Sequence, residues 1–161
     1  METVSVKELV ESVTHGAAGH SALGPQHVEV LADVPADLKA DLDRDQMTQV
    51  LLNLVNNGVE AMEGRSGIVR VSAQEIAETD RVRFSVSDEG GGIPSGAEDK
   101  VFQPFFTTKS IGKGTGLGLP ISYGIVKMHN GNIWFESEPD VGTTFHVEIP
   151  KTHASGERSL R

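Results

Sequence analysis

The chain has 161 residues and no cysteine, with 23 Asp and Glu against 14 Lys and Arg for a net charge of −9. That length suits one domain with a substantial core, the missing thiols exclude disulfides and thiolate metal sites and fit a reducing compartment, and the acidic balance argues against a nucleic-acid partner. No run approaches the roughly 18 apolar residues of a membrane span, and the N-terminus lacks the basic-then-apolar layout of a signal peptide, so a soluble, cytoplasmic domain without membrane contact of its own is expected.

Ser5 followed by Glu8 reads as a capping box, and Val6, Leu9, Val10 and Val13 then keep helical spacing, so a short helix opens the chain. Gly16, Gly19 and Gly24-Pro25 predict its end. "HVEVLADV" and "DLKADLD" suggest two short strands. "DLDRDQ" imitates the start of a calcium loop, but Asp41 to Gln46 lack the glycine such a loop needs at its sixth position, and these aspartates are expected to cap the next helix. From Asp45 onward Met47, Val50, Leu51, Leu54, Val55, Val59 and Met62 draw one buried face on a helix of about five turns. "GIVRVSAQEI" and "RVRFSVSDEG" alternate as two strands around "AETD", and "NIWFESE" and "TTFHVEI" do so around "PDVG". A helix from about Leu117 to Asn130, stopped by Gly131, lies between the two pairs. The order predicts an α+β fold: a two-layer sandwich with a mixed, mostly antiparallel sheet packed on about three helices.

Three features carry chemistry. Gly112, Gly114, Gly116 and Gly118 occupy alternate positions just before a helix, and from Lys100 through Lys113 there are three lysines and no acid. The run fits neither the dinucleotide fingerprint nor the P-loop. Its amides could still cradle an anion at a helix N-terminus, or it is simply a pliant loop. On the long helix Asn53, Asn57 and Glu60 line one edge of the apolar stripe while Asn56 is expected to point to solvent. Asparagine and Gly58 weaken a helix interior, which hints at a hard-cation site; a solvated edge is the alternative. Finally, Val82, Phe84 and Val86 alternate inward, and the same parity carries Asp88 onto the buried face, the side to which parity in the facing hairpin also assigns the Thr143 hydroxyl. Gly90, Gly91 and Gly92 follow, so Asp88 either receives an exocyclic amine such as adenine's or is an ordinary turn carboxylate.

Together these stretches resemble the catalytic ATP-binding domain of sensor histidine kinases, in the ATPase superfamily (GHKL, or Bergerat fold) that also holds DNA gyrase B, heat-shock chaperones and mismatch-repair ATPases. "QVLLNLVNNGVEAM" resembles the N box, "DEGGGIP" the first glycine box, "VFQPFFTTK" the F box, "GTGLGLPIS" the second glycine box and "GTTF" the last. The subgroup they most resemble is that of the nitrogen- and oxygen-sensing kinases.

The resemblance implies ATP and Mg²⁺ as cofactors. Asp88 would accept the adenine amine, with Thr143 in support and Gly90, Gly92 and Ile93 shaping the base pocket. Asn57, with Asn53, would engage Mg²⁺. Thr108 and Lys109 would reach the terminal phosphates, and Gly114, Thr115, Gly116, Leu117, Gly118 and Leu119 would wrap them in a mobile lid. Phe102, Phe105 and Phe106 would hinge that lid. Asn53, Asn57 and Lys109 would form the catalytic set. Gly58 departs from the family, which more often has Ala there.

In related ATPases that split water, a glutamate stands four residues before the metal-binding asparagine and acts as general base; here that position is Asn53. Transfer to a histidine is therefore the expected reaction. None of His15, His20, His27, His129, His146 and His153 is followed by an acidic residue, so the acceptor is expected on a separate dimerisation domain of a parent kinase, with a response regulator as indirect partner and this chain a monomer. Residues 1–25 are read as a short helix and a linker from that dimerisation helix, 26–150 as the catalytic ATP-binding domain and 151–161 as a flexible tail. A hydrolase or serine kinase of the same superfamily, and a non-catalytic docking module, stay as alternatives.

Overall fold

The computed structural model describes residues 1–21, 28–62, 66–91, 118–138 and 140–152. Strand β1 (Glu2–Ser5) leads into helix α1 (Val6–Ser21), and Ser5 Oγ accepts the Glu8 N–H at 3.4 Å, the expected cap. Val6, Leu9, Val10 and Val13 are buried, as their spacing predicts. The helix runs past Gly16 and Gly19, where the glycines predict a stop. Ala17 and Ala18 stand between them, and alanine is the strongest helix former, so the two weak positions are bridged.

Strands β2 (Val28–Asp33) and β3 (Lys39–Leu42) precede helix α2 (Arg44–Ala61). β1 and β3 form their own antiparallel ribbon with Val4 opposite Ala40, and Leu38 and Leu42 complete its buried side. Asp43 is the N-cap of α2: its side chain accepts the Gln46 N–H at 3.0 Å. The buried stripe of α2 is Met47, Val50, Leu51, Leu54, Val55 and Gly58.

Strands β4 (Gly67–Ile76) and β5 (Arg81–Ser87), helix α3 (Gly118–Met128), and strands β6 (Asn132–Glu138) and β7 (Gly142–Pro150) complete the described fold. The sheet runs β2-β4-β5-β7-β6, with only the β2/β4 contact parallel. This is the expected mixed, mostly antiparallel sheet. Alternation puts Val69, Val71 and Ala73 of β4, Val82, Phe84 and Val86 of β5, and Phe145, Val147 and Ile149 of β7 on the buried face. There α1 meets β2 and β4, α2 meets β4 and β5, and α3 meets β6 and β7. The opposite face is polar: Arg83 lies 5.3 Å from the Trp134 ring and pairs with Glu148 at 2.9 Å.

Helix α2 is the middle of the helical layer, in contact with both α1 and α3. A buried histidine joins its start to the end of α3. His129 Nδ1 donates to the Ile125 carbonyl at 2.9 Å, while Nε2 accepts the Asp43 N–H at 3.1 Å. Asn130, at φ 59°, and Gly131 then terminate α3, and the Gly131 N–H returns to the Val126 carbonyl.

Candidate nucleotide site at the end of strand β5

The site begins where β5 stops. Continuing the inward parity of its valines and phenylalanine, Asp88 is buried at 9% exposure. Its N–H donates to the Thr143 carbonyl at 2.9 Å, and the Gly90 N–H donates to Asp88 Oδ1 at 2.9 Å. Burial pushes the Asp88 carboxyl above the usual aspartate range, and hydrogen bonds from the backbone at Gly90 and Thr143 pull it partly back. A carboxylate desolvated in this way is stabilised by a further donor, and an aromatic amine supplies one without adding charge.

Glycines set the walls. Gly58 on α2 faces Asp88, where a Cβ would stand 3.4 Å from both Asp88 Cβ and Val69 Cγ1. At Gly90 a Cβ would run into the Ala61 carbonyl, so the turn after β5 is packed against the last turn of α2. At Gly142, with φ 151°, a Cβ would run into the Asp88 carbonyl oxygen. Only glycine lets β7 begin that close to Asp88.

Thr143 is buried, but its hydroxyl pairs with Ser137 Oγ at 2.9 Å, so it is the Thr143 backbone that engages Asp88 directly. Ser137, one strand over, is a participant that spacing alone does not reveal. Two more such residues hold the turn: Met62 Sδ accepts the Glu89 N–H at 3.3 Å, and Glu89 Oε1 accepts the Ile68 N–H at 2.7 Å.

Asn53 and Asn57 stand one turn apart on α2, both half-buried. Asn53 bridges helices, donating from Nδ2 to Ser122 Oγ at 3.2 Å while Oδ1 accepts from Gln49 Nε2 at 2.8 Å. This bond places the early turns of α3, which starts at Gly118 with Leu119 half-buried, beside the asparagine edge. Asn56 is half-buried rather than turned to solvent, because α2 is flanked by a helix on each side. Among the described residues no three His, Asp or Glu side chains gather to hold a metal. A divalent cation at this edge would rest on carboxamide oxygen and on oxygens of its ligand, a donor set that fits hard Mg²⁺. The expected positions Gly92, Ile93, Thr108, Lys109, Gly114, Thr115, Gly116 and Leu117, and the phenylalanines Phe102, Phe105 and Phe106, lie outside the described residues.

The family described as histidine kinase-, DNA gyrase B- and HSP90-like ATPase matches residues 42–153. The sensor kinase CckA of Brucella abortus is 41% identical over an alignment 139 positions long, which covers 77% of this chain and 14% of that protein. The sensor histidine kinase ZraS of Escherichia coli is 42% identical over 118 residues, covering 73% of this chain and 24% of ZraS. The chain thus spans well under half the length of these relatives. Among solved structures, the nucleotide-free catalytic domain of the histidine kinase ThkA superposes with a TM-score of 0.77 at 34% identity, covering 94% of this chain and 97% of that domain. Full-length ShkA in complex with AMPPNP gives a TM-score of 0.79 at 29% identity, covering 94% of this chain and 31% of ShkA.

Proposed function

The chain belongs to the histidine kinase-, DNA gyrase B- and HSP90-like ATPase family and is a catalytic domain of the sensor histidine kinase kind, and from that premise we propose that it binds ATP and passes the γ-phosphoryl group to a histidine on a separate dimerisation domain. The observation that carries the reading is the Asp88 carboxylate, buried at the end of β5 with the Gly90 N–H on Oδ1. Asp88 accepts the exocyclic amine of adenine, and the Gly90 turn and the start of β7 flank the base. The nucleotide's phosphates then extend toward the asparagine edge of α2 and the N-terminal end of α3, whose positive pole favours anions.

Asn57, with Asn53 beside it, would hold Mg²⁺, which when bound neutralises charge on the phosphates. Lys109 and the glycine run are assigned to the same phosphates on the resemblance of their motifs. The chemistry asked of the protein is then orientation and charge neutralisation, with the acceptor imidazole as nucleophile. A hydrolase needs a general base to activate water. Asn53 is an amide, and its bonds to Gln49 and Ser122 support a positioning role at that place. A response regulator is the proposed downstream partner of the parent kinase, and the isolated chain is proposed to be a monomer.

The test mixes this chain with a separately produced dimerisation domain of its parent kinase and radiolabelled ATP. The expected result is slow labelling of that domain's histidine, stable to base and labile to acid, with no label on this chain. The rate is low because separated domains lose the effective concentration of a tether. Steady phosphate release without protein labelling would replace the transferase by a hydrolase. Tight ATP binding with neither outcome would leave a docking module.

A further inference from the structure

We propose that Glu89, the residue after the adenine-contacting Asp88, is a positioning residue for the base site and acts by capping the end of the sheet. This rests on the nucleotide reading above. The β4–β5 register pairs Arg70 with Ser87, and continuing it would set Ile68 opposite residue 89. The ladder ends first: β5 stops at Ser87 and the main chain turns away through Asp88 and Gly90. β4 runs three residues past the last pair, to Gly67, and a strand that outruns its partner leaves main-chain donors to be satisfied. Glu89 supplies the acceptor from its side chain, with Oε1 2.7 Å from the Ile68 nitrogen. The carboxylate takes over at the strand end, and the backbone is released to carry Asp88 into the site.

The same residue is gripped from the opposite side. Its N–H donates to Met62 Sδ at 3.3 Å, and Met62 is buried at the C-terminal cap of α2. Next to it, Gly90 lies against the Ala61 carbonyl. Glu89 is therefore tied to β4 through its side chain and to α2 through its backbone, and Asp88 sits one peptide away from both ties. Gly67 belongs to this arrangement, since a Cβ there would meet Glu89 Oε1 and Met62 Cε, each at 2.6 Å. Glu89 itself is exposed, so its charge is open to solvent and the geometry of the acceptor is what matters.

The test compares Glu89→Ala with Glu89→Gln, which keeps an acceptor oxygen of the same reach and removes the charge. Calorimetry with ADP and GDP, and hydrogen exchange at the Ile68 amide, are measured on the full chain. Glu89→Ala is expected to lose roughly fivefold in ADP affinity, the worth of one hydrogen bond, and to lose part of its preference for ADP over GDP. Ile68 exchange should accelerate in the same variant. Glu89→Gln should restore all three values to within about twofold of the unaltered protein. Equal affinity and base preference in Glu89→Ala, beside normal ADP binding by the unaltered chain, would overturn the positioning role alone. An equal fall in both variants would assign the effect to charge and overturn it too. Absence of ADP binding by the unaltered chain would remove the nucleotide reading first, and this role with it.

Discussion

Asp88 is held at a cost to the unliganded fold. Its carboxyl is raised above the ordinary aspartate value of 3.8, chiefly by burial, so the folded state holds its proton more tightly than the unfolded chain does. The stability it contributes is present below that ordinary value and is lost as the pH rises through the raised one. Asp88→Asn is therefore expected to raise the melting temperature of the unliganded protein at neutral pH and to flatten this part of its pH dependence. The Gly90 bond to Oδ1 survives the change. ADP affinity should fall sharply at the same time, since an amide nitrogen then faces the adenine amine, donor against donor. Thermal melts across pH with parallel calorimetry check both halves; a variant that melts lower and binds ADP normally would remove Asp88 from the site. This residue was legible in the sequence because parity along a strand fixes which face a side chain takes. Ser122, Met62 and Ile68 were not legible, because each meets its site partner through packing between segments distant in sequence, and Ser137 was missed because it meets Thr143 through the register of the β6–β7 hairpin, which alternation alone does not set.

At the scale of elements, α2 carries the site's greatest local inconsistency. It presents Asn53, Asn56, Asn57 and Gly58 in succession, all poor helix formers, in the middle of the helical layer. The buried stripe from Met47 to Val55 holds this stretch helical despite them. Gly58→Ala is expected to stabilise the protein by about 0.5–1 kcal/mol in urea unfolding, because alanine favours helix and its methyl would reach ordinary contact distance from Asp88 and Val69. A loss of stability in that variant would mean that the wall has no room for one methyl. The helical stripe and the two hairpins could be read from their periods, since α2, β4, β5, β6 and β7 all repeat long enough to show them. β1 could not. It has four residues, ETVS, and is a strand only because β3, more than thirty residues later, lies beside it. The stop at Gly16 and Gly19 failed for the complementary reason: a helix already anchored by Val6, Leu9, Val10 and Val13 tolerates glycine beyond its anchors.

For the whole molecule, the layer architecture followed from the order of elements, whereas the insertion of β7 between β5 and β6 and the parallel β2/β4 contact were settled by pairing partners that no local period announces. A further long-range contact joins β1, β3 and the residue after β7. Thr3 pairs with Asp41 across the β1–β3 ribbon and bonds its carboxylate at 2.7 Å, and the Asp41 N–H donates to the Lys151 carbonyl at 2.8 Å. Residues near the two ends thus flank a single residue of β3. The start of β1 and the end of β7 therefore lie close together on either side of β3. A circular permutant that joins the segment after Lys151 to β1 through a short glycine-serine linker, and opens the chain between Asp33 and Lys39, should fold and bind ADP with an affinity near that of the original. Such a molecule would carry its new ends at β2 and β3, so that a sensor grafted there would pull on those two strands directly.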